Sequence, residues 1–242
     1  MRPYVLTIGI GVLVALCWFG VALADETYLE ATFDDKTIDA PIGTRGPAFG
    51  EPIQVDTGID AIVRATPFET PSLEIHNKDL AESRSVFFAT ASPESVGVAT
   101  VVTDLWIYEV GPGWEFSIEL ETKNWKTLSI INIRADGSIQ IEDTNGEAAL
   151  IPDIPTGQPL PVLFALDMDA GTYSVWVDAN QVVSDRILRD VERGFMHIRV
   201  DTGSDGAEDN RLSIDQIRVI DFVPPVATVS ATWGRIRTLY RR

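Results

Sequence analysis

Apolar and polar residues alternate with a period of two along much of the chain. Trp114, Phe116, Ile118 and Leu120 interleave with Glu115, Ser117, Glu119 and Glu121, the pattern of a strand with one face in the core and an acidic face in water. Tyr173, Val175 and Val177 alternate with Thr172, Ser174, Trp176 and Asp178. If the first set faces the core, Trp176 points to the opposite side. Two β-branched runs flank Ala135-Asp136-Gly137-Ser138, and the Asp-Gly pair supplies the positive φ that a tight hairpin needs. Ala170-Gly171 and Asp178-Ala179-Asn180 mark turns at the two ends of a second strand.

Near the end of this pattern, Leu212 and Ile214 share one parity while Ile217 and Val219 have the other. Burial of both pairs on one face requires a β-bulge at Asp215-Gln216. No stretch carries a sustained helical period; the best helical candidate, from about Asp185 to Arg193, is short. Many short strands punctuated by Gly, Pro, Asn and Asp predict an all-β, two-sheet antiparallel sandwich or jelly roll over residues 25–225.

The ends of the chain differ from this body. Arg2, the apolar run Tyr4 to Phe19 and the small residues Ala22 and Ala24 form the three parts of a secretory signal peptide, with cleavage expected after Ala24. A membrane anchor is the competing reading, since the run approaches the roughly 20 residues of a bilayer span. The glycines at 9, 11 and 20 and the Ala-Leu-Ala site favour removal. Lipoprotein processing at Cys17 is disfavoured by the bulky Leu16 before it. Cys17 is the only cysteine, so the processed chain has no disulfide and is held by its core. The expected destination is secreted or periplasmic, without a stable membrane span after processing, and the absence of any Asn-x-Ser/Thr acceptor leans toward a bacterial envelope.

Charge is distributed unevenly. All 36 acidic residues lie between Asp25 and Asp221, whereas Arg235, Arg237, Arg241 and Arg242 sit in a final segment without any acid. Setting aside Arg2 and those four leaves 14 basic residues against the 36 acids, a net −22 on the body. Such a surface repels nucleic acid and anionic polysaccharide and suits neutral glycans, cations or basic partners, or serves solubility alone. On a helix from about Ser230, the segment 226–242 would gather Trp233, Ile236, Leu239 and Tyr240 on one arc with the arginines elsewhere. Docking on an anionic surface, a sorting role and folding back on the acidic body all remain open for it.

The stretches Ala135-Asp136-Gly137-Ser138-Ile139, Leu166-Asp167-Met168-Asp169-Ala170-Gly171-Thr172-Tyr173-Ser174-Val175-Trp176-Val177-Asp178 and Leu212-Ser213-Ile214-Asp215-Gln216-Ile217-Arg218-Val219 together resemble the concanavalin A-like lectin/glucanase superfamily, in its laminin-G-like jelly-roll branch. The resemblance spans roughly residues 27 to 221. It implies that Ala31 to Asp35 open a strand lying near the closing one. Calcium could then bridge the first and last strands through Asp34, Asp35 and Asp215. Fold-level likeness speaks to architecture more than to activity.

Candidate chemistry divides three ways. Glycosidases of that superfamily use paired carboxylates, but Ser117 stands where the central aspartate of their strand belongs, so Glu115, Glu119 and Glu121 read as a solvated acidic face. Lyase relatives need a histidine, and His76 and His197 sit outside the family's pattern, with His197 on an outward parity beside Arg199 and read as a surface residue. Asp201-Thr202-Gly203-Ser204-Asp205-Gly206-Ala207-Glu208-Asp209 offers alternating oxygen ligands for calcium through Asp201, Asp205 and Asp209, though Gly203 and Leu212 depart from a calcium-loop pattern and an acidic turn explains the stretch as well. Flat side chains on which pyranose rings could stack are Trp176, Trp125 in the polar stretch Thr122 to Lys126, and Tyr108. The function expected is an exported, non-catalytic module binding carbohydrate or a cell-surface partner. The alternatives are a divergent glycoside hydrolase or polysaccharide lyase, and a structural envelope protein without a small ligand.

Overall fold

A computed structural model describes residues 26–78, 82–93, 96–108, 115–188, 194–203 and 211–221. The leader, the basic C-terminal segment, Trp114, and Asp205 and Asp209 of the acidic loop lie outside them. The strands of the first sheet are β1 (Thr27–Thr32), β3 (Ile59–Arg64), β4 (Ser72–Asn77), β6 (Val98–Ile107), β11 (Pro159–Asp167), β12 (Thr172–Val177), β13 (Asn180–Ile187) and β15 (Arg211–Ile220). Those of the second are β2 (Gln54–Val55), β5 (Arg84–Ala89), β7 (Phe116–Thr122), β8 (Thr127–Ile133), β9 (Ile139–Asp143), β10 (Gly146–Ile151) and β14 (Phe195–Thr202). The first sheet runs β13-β12-β11-β6-β15-β4-β3, with β1 also on β15; the second runs β10-β9-β8-β7-β14-β5-β2. Every strand pairing is antiparallel. The result is the two-sheet sandwich that the alternation predicts.

Local chemistry explains the connections. Asp178 and Ala179 both take positive φ, 47° and 63°, which gives the two-residue β12–β13 turn the twist of its flanking strands. Gly137 (φ 79°) closes the β8–β9 turn, and Asp136 accepts hydrogen bonds from the Ser138 backbone and hydroxyl. The predicted bulge is present: the β15–β6 register shifts between Ile214 and Gln216. That shift places Leu212, Ile214, Ile217 and Val219 together in the core. The opening strand β1 pairs with the closing strand, Thr32 opposite Gln216. The helical reading of Asp185 to Arg193 is corrected at its start, because Asp185 to Ile187 continue β13, held by pairing to Thr172 and Tyr173.

Between the sheets lies one apolar layer that includes Phe33, Phe88, Phe116, Phe164 and Phe195, all fully buried. Each side chain of that size contributes roughly 1.5–3 kcal/mol on burial. Thr103 is the exception within it. Its hydroxyl is buried without a hydrogen-bond partner and borders a small void walled by Val101, Ile118, Phe164 and Ile217. Thr103→Val removes the unsatisfied hydroxyl at nearly constant volume, so the variant should gain about 1 kcal/mol in chemical denaturation.

Two buried carboxylates fasten the structure outside the apolar layer. Asp143 on β9 accepts from Arg186 Nε (2.6 Å) on β13, from Tyr173 Oη (2.8 Å) on β12 and from the Asn145 backbone N–H (2.6 Å), so it joins the two sheets. Burial pushes its pKa up, but these donors outweigh that and hold it below the usual carboxylate range. Glu51, 2% exposed, takes the guanidinium of Arg45 on both carboxylate oxygens, with Lys36 Nζ at 3.7 Å. A methyl group at Gly43 would collide with that carboxylate. The Arg45 hydrogen bonds lower the Glu51 pKa to about 2 against burial. A depressed folded-state pKa contributes stability above the unfolded value of 4.5 that is lost as pH falls toward about 2. Glu51→Gln should therefore flatten the loss of stability over that window, read as urea midpoints at pH 5 and pH 3.

Candidate functional site

The face of the second sheet that turns away from the core carries the densest polar chemistry among the described residues. Register sets it out in rows. Ala89, His197, Glu121 and Thr127 lie side by side across β5, β14, β7 and β8, and Phe87, Arg199, Glu119 and Ile130 form the next row. Ser85, Asp201, Ser117 and Asn132 form the third.

At the centre, Arg199 gathers three carboxylates: Glu119 Oε1 at 2.7 Å, Asp201 Oδ2 at 2.8 Å and Glu121 Oε1 at 3.4 Å. Glu119 and Glu121 are buried, 9% and 2% exposed. The expected wet acidic face is thus corrected at Glu119 and Glu121, which point outward as parity requires but are enclosed, whereas Glu115 is exposed. Burial raises the pKa of Glu121, an effect that Arg199 opposes and that Glu119 and Asp201 reinforce. Burial likewise raises Asp201, against its hydrogen bond from Ser85 and the charge of Arg199.

His197 is also corrected from a surface residue to a fully buried one. Its Nδ1 lies 3.9 Å from Glu121 Oε2, and neither ring nitrogen makes a hydrogen bond. Burial lowers its pKa below 6.5, so it is neutral near pH 7. The stability that this neutral ring contributes is present above pH 6.5 and lost as pH falls through the folded value.

Trp125 forms the lid of this cluster. Its indole stacks on His197, with centroids 3.8 Å apart and planes at 23°, and meets Phe87 edge-on at 6.0 Å. The Thr122–Thr127 turn presents it: Trp125 N–H donates to Thr122 O, Thr122 N–H to Lys126 O and Lys123 N–H to Gly194 O. Trp125 itself sits at φ 60°, a left-handed conformation that costs roughly 1–2 kcal/mol for a residue bearing a Cβ. Despite its stacking, 56% of the residue is exposed, the most open aromatic ring described.

The other predicted site residues are elsewhere. Trp176 has the expected outward parity on the first sheet but is 4% exposed, packed with Val102, Leu163 and Ala165, so it cannot serve as a stacking platform. Tyr108 is also on the first sheet, where its hydroxyl meets Glu74 and Ser213 and Arg211 lies over its ring. Trp125, Tyr108 and Trp176 therefore do not form one site. Asp201 is occupied by Arg199 and Ser85, which leaves its carboxylate ill suited to a cation. Asp34 and Asp35 are exposed, and Asp215 accepts from Thr70 Oγ1. Among the described residues no three acids or histidines converge on a metal position, so the calcium bridge between first and last strands does not fit the residues described there.

No protein-family model and no curated protein matches the sequence. Solved structures match the fold. A Trypanosoma rangeli sialidase superposes with a TM-score of 0.55 at 10% identity, over 84% of this chain and 31% of that one. A carbohydrate esterase of the Shiga toxin-encoding bacteriophage phi24B gives 0.54 at 9% identity, over 82% of this chain and all of that one. The receptor-binding domain of botulinum neurotoxin mosaic serotype C/D gives 0.53 at 12%, over 75% of this chain and 46% of that one. The chain thus spans less than half of the sialidase and toxin chains. At these identities the shared property is the β-sandwich. No helix among the described residues is long and apolar enough to cross a membrane.

Proposed function

We propose that the protein is an exported, non-catalytic β-sandwich module that binds a neutral glycan on the outer face of its second sheet. The observation that carries this reading is Trp125, an indole held in a left-handed turn with one face backed by His197 and much of its surface open. Sugar rings present C–H groups that pack on such a surface. Three carboxylates on one guanidinium leave the floor of the site net negative, which selects against uronic and sialic acids. Carbohydrate-active proteins among the fold's matches are compatible with this use of the sandwich. Export follows from the leader ending at Ala24.

The enzymatic reading has one observation in its favour, the Glu121–His197 pair at 3.9 Å. Both groups are buried and His197 lies directly beneath the Trp125 indole, so a substrate would not reach the ring without displacing it. A glycan array run with wild type and Trp125→Ala, in calcium and in chelator, tests the proposal. Binding to neutral glycans that disappears in the variant supports it. No binding at all, or binding that survives the substitution, overturns the site, and turnover of a bound polysaccharide overturns the non-catalytic reading.

A further inference from the structure

The outer face of the first sheet holds a second apolar cluster, Val102, Leu163, Ala165 and Trp176, each at most 8% exposed. Leu163 lies between Val102 and Trp176 in one row across β6, β11 and β12. These side chains turn away from the core, and all described strands belong to the two sheets; the one 3-10 turn among the described residues, Pro47–Phe49, sits against β1. No described strand or helix therefore covers them. On the same face and strand, Asp104 accepts from Gln216 Nε2 (2.9 Å) through one oxygen, while its Oδ1 is buried without a partner. The Trp176 indole N–H is likewise buried and unpaired. An apolar patch shielded from water beside a buried, unmet carboxylate oxygen calls for a cover that is both apolar and basic.

We propose that the C-terminal segment, residues 226–242, is that cover. It is the acid-free part of the chain beyond the leader, carrying Trp233, Ile236, Leu239 and Tyr240 for the patch and Arg235, Arg237, Arg241 and Arg242 for Asp104. The exit point suits it. Ile220 pairs with Thr100, which pairs with Ala165, so β15 ends in the row of the patch's own Ala165. From Ile220 to Trp176 is three strand spacings across and two residues along, roughly 16 Å. Five residues of extended chain, the number from 221 to 225, would span about the same distance. The leader is a poorer cover, because its one cation, Arg2, precedes the apolar run and would leave Asp104 unmet. A bound tail also shields the apolar arc that would otherwise recruit the protein to an anionic surface.

The test uses the full chain with Cys17→Ser, so that introduced thiols are the only ones. Ala179→Cys, at the edge of the patch, is combined with Thr232→Cys in the tail. The expected result is an intramolecular disulfide under mild oxidation, with a yield that falls as salt rises from 50 to 500 mM. In a second variant, Trp233→Ser/Ile236→Ser/Leu239→Ser, binding of the hydrophobic dye ANS should rise several-fold while the melting transition of the sandwich stays cooperative. Unchanged dye binding in the tail variant overturns the proposal. So does exposure of the patch only when residues 1–24 are removed, which would identify the leader as the cover. Disulfides formed between chains instead of within one would identify a second copy.

Discussion

Arg199→Met is expected to destabilise the protein by about 3–5 kcal/mol at pH 7.5, the cost of stranding buried charge without its partner. The guanidinium is within 3.4 Å of Glu119, Glu121 and Asp201. Without it three carboxylates face one another where two are nearly sealed from water. For a chain of this length the melting temperature should drop by roughly 10 °C. The pH dependence identifies the cause. Folded-state pKa values of Glu121 and Asp201 are already raised in the wild type and rise further in the variant. A raised value favours the fold below the unfolded pKa and loses that advantage as pH rises through the folded one. The deficit of Arg199→Met should therefore be largest at pH 7–8 and shrink toward pH 5. Arg199→Lys, which keeps one charge but loses the three-way fork, should fall between. A deficit that is the same at every pH would show that Arg199 acts through packing alone.

Trp125→Ala should weaken glycan binding by about 10- to 100-fold, corresponding to the loss of one stacked indole. Trp125→Phe retains a smaller flat surface and should lose less, while Trp176→Phe should leave affinity unchanged, because Trp176 is enclosed on the other sheet. Titration calorimetry on the best ligand from the array distinguishes these outcomes. A second readout belongs to Trp125 alone. Opening the stack lets water reach His197, so its imidazole pKa should move back up toward 6.5 in Trp125→Ala, visible by NMR. Trp125→Gly relieves the left-handed strain but uncovers the same ring, so its net stability change should stay within about 1 kcal/mol. Equal affinities for Trp125→Ala and wild type would leave the second sheet's outer face without a role.

The fold was legible because its signals are local. The parity of Phe116, Ile118 and Leu120, the Asp178-Ala179 turn and the phase slip at Asp215-Gln216 each lie within a few residues of sequence. The site was legible only in part. Trp125 stood out as an aromatic in a polar turn, but its partners come from β14 and β5, and His197 is 72 positions away in sequence. Only the pairing of β7 with β14 brings Glu119 and Glu121 onto Arg199, and one-strand periodicity says nothing about which strands become neighbours. Trp176 shows the complementary failure. Alternation reported its side of the sheet correctly, yet direction is not exposure, and a residue on an outer face can still be enclosed.

The Asp143–Arg186–Tyr173 junction has a consequence for how the molecule comes apart. It ties β9 to β12 and β13 at one margin of the sandwich, in a chain whose single cysteine, Cys17, lies outside the described residues. Thiol reductants therefore have nothing to cut there; the seam is held by one carboxylate, whose protonation would weaken its bonds to all three donors. Because those donors keep its pKa low, the seam outlasts the pH range in which His197 begins to cost stability, and acid reaches β10 and β13 late.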